Sequence, residues 1–152
     1  MNKFLLIGLT LIMFFFKNST MANYEKFFYD FKIKSITGEI IDLKEYKNKL
    51  MTKWPGPHTW LVPPKKDISE YITGNHDKVA LRLTDHALVC SICNSFGGPI
   101  VSTSANKEGL PTLENSQEIL ANFPHVKCLE GSLGGHDKPS TIQDVITDLI
   151  IR

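Results

Sequence analysis

From Val79 onward the chain alternates short apolar runs with segments of helical spacing, and this alternation constrains the fold more than any other feature. Val79 to Leu83 (VALRL) reads as a strand, Asp85 to Phe96 as a helix, Ile100 to Thr103 as a strand, and Ser116 to Phe123 as a helix opened by a capping serine. Val126 to Leu129 reads as a further brief strand, and Thr141 to Ile151 as a strand with a short apolar segment. Elements in this order bury their strands under their helices, which predicts an α/β layer. With 152 residues, 42% of them hydrophobic, the chain can bury one modest core or two incomplete ones.

Within that pattern, GGPIVSTSAN (Gly97 to Asn106) ends a strand in Ser102, Thr103, Ser104 and Asn106. Three hydroxyls and a carboxamide offer donors and acceptors without bulk, and the glycine pair lets backbone approach a ligand closely. The cluster suits a strand end facing phosphate or carboxylate, with an ordinary Ser/Thr/Asn turn as the alternative. Asn106 can also hold its own loop by bonding the turn backbone.

The earlier half is organised differently. Phe27 to Leu43 alternates around Thr37, Gly38 and Glu39, which is a hairpin signal. Glu45 to Leu50 is polar and lysine-rich, and then three prolines and a glycine punctuate KWPGPHTWLVP. Its two tryptophans, Trp54 and Trp60, read as core and lid packing. The first sixteen residues place one lysine before an apolar run too short to span a bilayer, which is the grammar of a signal peptide, with cleavage after Ala22. A buried apolar helix, an uncleaved anchor or a start at Met21 are the alternatives, and no stable membrane insertion is expected after cleavage.

Cys90, Cys93 and Cys128 leave an odd cysteine. Cys90 and Cys93 form a CxxC, yet they fall at helical intervals with Ala87, Leu88, Ile92 and Phe96, which makes them small buried thiols on an apolar helix face. His86, His125 and His136 supply no second ligand pair, so no metal site is expected. His86 reads equally as a neutral helix cap or core histidine. Residues 1 to 50 carry 8 Lys and Arg against 5 Asp and Glu, and residues 51 to 152 carry 9 against 11. The second part therefore lacks the basic stripe of an autonomous RNA binder.

From about Thr52 to Arg152 the chain resembles the YrdC-like threonylcarbamoyl-AMP synthases. Four ordered motifs carry the resemblance: KWPGPHTWLVP, ITGNHDKVALRLTDH (Ile72 to His86), PIVSTSANKEGLPT (Pro99 to Thr112) and KPSTIQDV (Lys138 to Val145). The resemblance implies part of a twisted, open, mixed sheet with flanking helices, here preceded by a β-hairpin and an N-terminal apolar helix. It also implies a cytoplasmic nucleotidyltransferase of transfer RNA modification. Such enzymes join L-threonine, bicarbonate and ATP into threonylcarbamoyl-adenylate, release pyrophosphate, and work with tRNA and its modification complex. The family's double-stranded RNA binding is implied with them. ATP enters as substrate, with Mg2+ accompanying it.

Residue by residue, the resemblance assigns L-threonine to Arg82, Ser102 and Ser140. It assigns ATP to Ser104, Thr112 and Arg152. An arginine fork suits a carboxylate, and Ser102 lies two residues before Ser104 on the same strand face. Competing readings are a strand-edge arginine for Arg82 and a turn serine for Ser140. No general acid, base or nucleophile is identified.

Residues 1 to 50 contain no match to the family's strand bearing a lysine and arginine pair. FYDFKIKSITGEIIDLKEYKNK instead resembles the opening hairpin of glutathione peroxidases, without the peroxidatic residue. The expected organisation is a leader (1–22), a peroxidase-like hairpin (23–50) and the C-terminal part of a YrdC-like domain (51–152), a fusion joined near Leu50. Low stability and little synthase activity follow from it. A thiol peroxidase fragment and a non-catalytic ATP- or threonine-binding module are the alternatives, and the leader carries an alternative of export to the periplasm.

Overall fold

A computed structural model of the chain describes residues 11–14, 32–34, 40–64, 69–74, 76–107, 109–132, 134–136 and 138–152. Its strands are β1 (Leu11–Phe14), β2 (Lys32–Lys34), β3 (Ile40–Asp42), β4 (His58–Val62), β5 (Val79–Leu83), β6 (Ile100–Ser102) and β7 (Thr141–Asp144). A 3₁₀ turn at Lys44–Tyr46 leads into α1 (Lys47–Met51), and α2 (Glu70–Thr73), α3 (Ala87–Phe96) and α4 (Ser116–Asn122) follow.

Five strands form one sheet in the order β6-β1-β5-β4-β7, while β2 and β3 pair separately and antiparallel. The large sheet is mixed: β1 runs parallel to β5, β4 parallel to β7, and the β1–β6 and β4–β5 pairs are antiparallel. Mixed pairing with flanking helices is the α/β layer that the alternation of strands and helices predicts.

The apolar leader does not match its expected helix where it is described. Leu11–Phe14 is a strand, paired with Ala80 to Leu83 on one side and with Ile100 to Ser102 on the other. A strand hydrogen-bonded on both sides reads as an unbroken apolar run, a pattern that a buried helix shares, so neighbours decide between the two. Here β5 and β6 leave a slot that only an extended segment fills. The rest of the leader, including the expected cleavage point, lies outside the described residues.

One face of the sheet carries the main core. Trp60, Val62, Val79, Leu81 and Leu83 pack there with Leu43, Leu50, Trp54, Ile72 and Val145. Trp54 and Trp60 are core residues, as their setting among prolines suggests, and Trp54 Nε1 donates to the His58 carbonyl at 2.8 Å. Because side chains alternate along a strand, Leu61, Ala80 and Ile142 pack on the opposite face. Thr59 and Arg82 share that second face by the same alternation. Phe96, Leu129, Leu149, Ile150 and Ile151 remain more than half exposed.

The helix α3 starts at His86, whose Nδ1 accepts from the Val89 N–H at 3.5 Å, so the capping reading of this histidine holds. It stops at Gly97, where φ is 81° and the Gly97 N–H donates to the Cys93 carbonyl. Cys93 is buried and Cys90 half-buried on this helix. Asn115, rather than Ser116, caps α4, its Oδ1 accepting from the Glu118 N–H at 2.9 Å. Residues Val126 to Leu129 form no strand and are exposed.

Asp144 closes β7 with a local clip. Its carboxylate pairs with Lys78 Nζ and accepts from the Ile146 and Thr147 N–H groups at 2.8 and 3.0 Å. Burial opposes ionisation, but the Lys78 and backbone hydrogen bonds outweigh it and hold Asp144 at about 2, below its ordinary 3.8. A lowered carboxylate pKa gives stability that is complete above pH about 4 and is lost as pH falls towards 2. His58 is lowered by burial and by Lys53, so its contribution to stability begins to fall as pH drops below the ordinary 6.5, where the unfolded chain takes up the proton first. Acid unfolding is therefore expected in two stages, and Asp144→Asn should remove the lower one. Urea midpoints between pH 7 and 2 check this.

Candidate active site

The chain from Trp54 to Pro57 turns at a cis Trp54–Pro55 peptide and docks on the end of β5. There the Gly56 N–H donates to the Leu83 carbonyl at 2.9 Å, and Arg82 Nε donates to the Gly56 carbonyl at 3.0 Å. Arg82 is thereby fixed through Nε alone. Its two terminal nitrogens have no protein partner among the described residues, which leaves the outer edge of the guanidinium open to a bidentate acceptor. Burial lowers its pKa and Asp85 works against that, but a guanidinium keeps its charge at neutral pH.

Two strands away, Ser140 stands immediately before β7 and is 94% buried, being 6% exposed. Its hydroxyl lies 2.9 Å from Thr59 Oγ1, and its carbonyl accepts from Arg152 Nε at 3.3 Å. The antiparallel register that pairs Trp60 with Leu81 brings Thr59 opposite Arg82. Arg82, Thr59 and Ser140 thus form a row across β5, β4 and the start of β7.

A cavity of about 580 Å³ opens over this row, lined by Arg82, Ser140, Pro57, Thr84, His86 and Lys138 among others. His86 Nε2 meets the Ser132 carbonyl at 2.8 Å, and Gly134 lies so close that a Cβ there would sit 2.7 Å from the imidazole. The cavity offers the cationic Arg82 and Lys138 and the hydroxyls of Thr84, Ser132 and Ser140, with the Asp85 carboxylate also in its lining. Its chemistry is that of a small anionic ligand.

The structure brings together some of the sequence-predicted residues and separates others. Arg82 and Ser140 share the cavity, whereas Arg152 bonds the Ser140 carbonyl without lining it. Ser104 lines a different groove of about 1080 Å³ with Asn106, Ile119, Phe123, Lys127 and Cys128. Ser102 is half-buried in β6 and Thr112 is exposed, and neither lines either cavity. Asn106 does hold its loop, Nδ2 donating to the Lys107 and Leu110 carbonyls at 3.1 and 2.8 Å. Sequence reasoning passed over Thr59 and Lys138; the alternation within HTWLV would have put Thr59 on the face of Arg82 had that run been read as a strand.

The thiols point away from peroxidase chemistry. Burial pushes Cys90 up, and burial with the neighbouring Cys90 pushes Cys93 to about 11, whereas a reactive thiolate needs a lowered value. Among the described residues no three His, Cys, Asp or Glu side chains gather into a metal site.

The Sua5_yciO_yrdC family model, described as telomere recombination, matches residues 31–152, a span that takes in the hairpin likened above to glutathione peroxidases. The threonylcarbamoyl-AMP synthase of Photobacterium profundum is 44% identical over 108 residues, covering 70% of this chain and 58% of that protein. That of Saccharophagus degradans is 44% identical over 110 residues, covering 71% and 58%. The chain therefore spans under three fifths of the length of these relatives. Among solved structures, P. abyssi Sua5 complexed with L-threonine has a TM-score of 0.63 at 22% identity, over 90% of this chain and 36% of that one. E. coli YciO has a TM-score of 0.57 at 17% identity, over 93% and 64%. These likenesses give the mixed sheet its fold family, and the match from residue 31 to the last residue places the chain in the Sua5/YciO/YrdC family.

Proposed function

We propose that this chain carries the L-threonine-binding wall of a threonylcarbamoyl-AMP synthase, the function of its named relatives. One observation carries the reading: Arg82 presents an unpartnered guanidinium edge to a cavity that the Ser140 hydroxyl also lines. A fork of donors beside a hydroxyl is what an amino acid carboxylate requires. In the reaction, the L-threonine amine and bicarbonate give a carbamate with loss of water, the carbamate oxygen attacks the α-phosphate of ATP, and pyrophosphate leaves. Arg82 and Ser140 would hold the carboxylate while that attack is aligned.

Ser102 on the threonine side, and Ser104, Thr112 and Arg152 on the ATP side, rest on motif resemblance. Of these, Arg152 contacts the Ser140 carbonyl but lines neither cavity. ATP, bicarbonate and tRNA as partners, and double-stranded RNA binding, follow from the same reading, as does a cytoplasmic location where those substrates are found. The reading includes low turnover, since residues 1 to 50 hold no match to the lysine and arginine strand of the family. The division into leader, peroxidase-like hairpin and partial YrdC-like domain, joined near Leu50, belongs to this proposal too.

Isothermal titration of the purified full chain tests the binding claim. L-Threonine is expected to bind with one-to-one stoichiometry, and D-threonine much more weakly. Absence of any heat with L-threonine up to 10 mM, roughly the weak end of specific small-ligand affinity, would remove the reading.

A further inference from the structure

The hydrogen bond between Thr59 and Ser140 has a direction that burial decides. Either hydroxyl could donate across the 2.9 Å contact. Thr59 is 1% exposed, and Ser140 Oγ is its side chain's one hydrogen-bond partner among the described residues. A buried hydroxyl proton left without an acceptor carries a desolvation penalty, so the Thr59 proton goes to Ser140. The Ser140 proton is then displaced from Thr59. Ser140 lines the cavity, so that proton can be satisfied there by an acceptor or by solvent.

From this we infer that Thr59 is a positioning residue: it acts through Ser140, turning that hydroxyl into an obligate donor aimed at the cavity. The ligand group that fits is an anionic acceptor, and the Arg82 guanidinium beside it selects a carboxylate. A donor that is itself receiving a hydrogen bond is polarised and donates more strongly. Backbone geometry supports the assignment. The parallel pairing of His58 with Thr141 and of Thr59 with Ile142 fixes the two hydroxyls across β4 and β7, and the Arg152 contact pins the Ser140 carbonyl from the other side. The inference rests on the threonine-site reading.

The test compares L-threonine with L-threoninol, which lacks the carboxylate, by titration of the full chain and its variants. Thr59→Val is expected to weaken L-threonine binding about tenfold while leaving L-threoninol within twofold, and Thr59→Ser to restore L-threonine binding. Thr59→Cys, with a weak donor, should fall between them and serves if Thr59→Val does not fold. In a Ser140→Ala background, Thr59→Val or Thr59→Cys should add no further loss for L-threonine. Equal weakening for both ligands, failure of Thr59→Ser to rescue, or full additivity with Ser140→Ala would overturn the inference alone. Absence of L-threonine binding in the unmodified chain would instead overturn the site reading, and the inference with it.

Discussion

Replacing Arg82 with alanine is expected to raise the dissociation constant for L-threonine roughly 10- to 100-fold, the equivalent of losing charge-assisted hydrogen bonds worth about 1.5–3 kcal/mol. The estimate follows from how the residue is held. Nε is committed to the Gly56 carbonyl, so the remaining donors of the fork face the cavity, and alanine removes all of them together. Stability should suffer less, by about 1 kcal/mol, since a single hydrogen bond to Gly56 is lost and the β5 backbone ladder persists. Arg82→Lys should keep the charge but lose the Gly56 bond and the bidentate edge, giving an intermediate affinity. Calorimetric titration and thermal midpoints measured on the same preparations separate the two effects. An unchanged dissociation constant in Arg82→Ala would place the ligand elsewhere.

The second large effect concerns the leader. A chain beginning at Asn23 lacks β1, which pairs four residues with β5 and three with β6. Since β6 pairs with no other strand among the described residues, its loss from the sheet would free the segment leading to Ser104 as well. At about 1 kcal/mol per hydrogen bond, several lost ladder bonds approach the roughly 5–15 kcal/mol by which a domain is stable. The shortened chain is expected to show no cooperative urea transition, and Ile12→Pro in the full chain should lower the urea midpoint. Equal midpoints for the full and shortened chains would show that β1 is dispensable. Under this account the leader acts as a structural strand, so cleavage after Ala22 and folding of the sheet exclude one another.

What the sequence discloses, and what it hides, divides along physical lines. VALRL is legible as β5 because β-branched and leucine residues alternate with Ala80 and Arg82, and the His86 cap and Gly97 stop are legible because each answers a local backbone need. Leu11–Phe14 is not, because a four-residue apolar stretch has no period of its own and its conformation is set by strands nearly seventy residues away. HTWLV is hidden by the prolines around it, although all five of its residues are buried. Val126 to Leu129 misleads in the opposite sense, a short stretch that the structure leaves without strand pairing and exposed. At the site, Arg82 and Ser140 are legible from their motifs. The separation of Ser104 from them depends on where β6 joins the sheet, and β6 joins through β1, the strand least readable from sequence.

The proposed function pairs L-threonine binding at Arg82 and Ser140 with little turnover. Pyrophosphate release by the purified full chain in L-threonine, bicarbonate, ATP and Mg2+ tests it most directly, with the Photobacterium profundum relative assayed alongside. The predicted result is saturable L-threonine binding with pyrophosphate release at background. Threonine- and bicarbonate-dependent release at a rate close to that of the relative would contradict it.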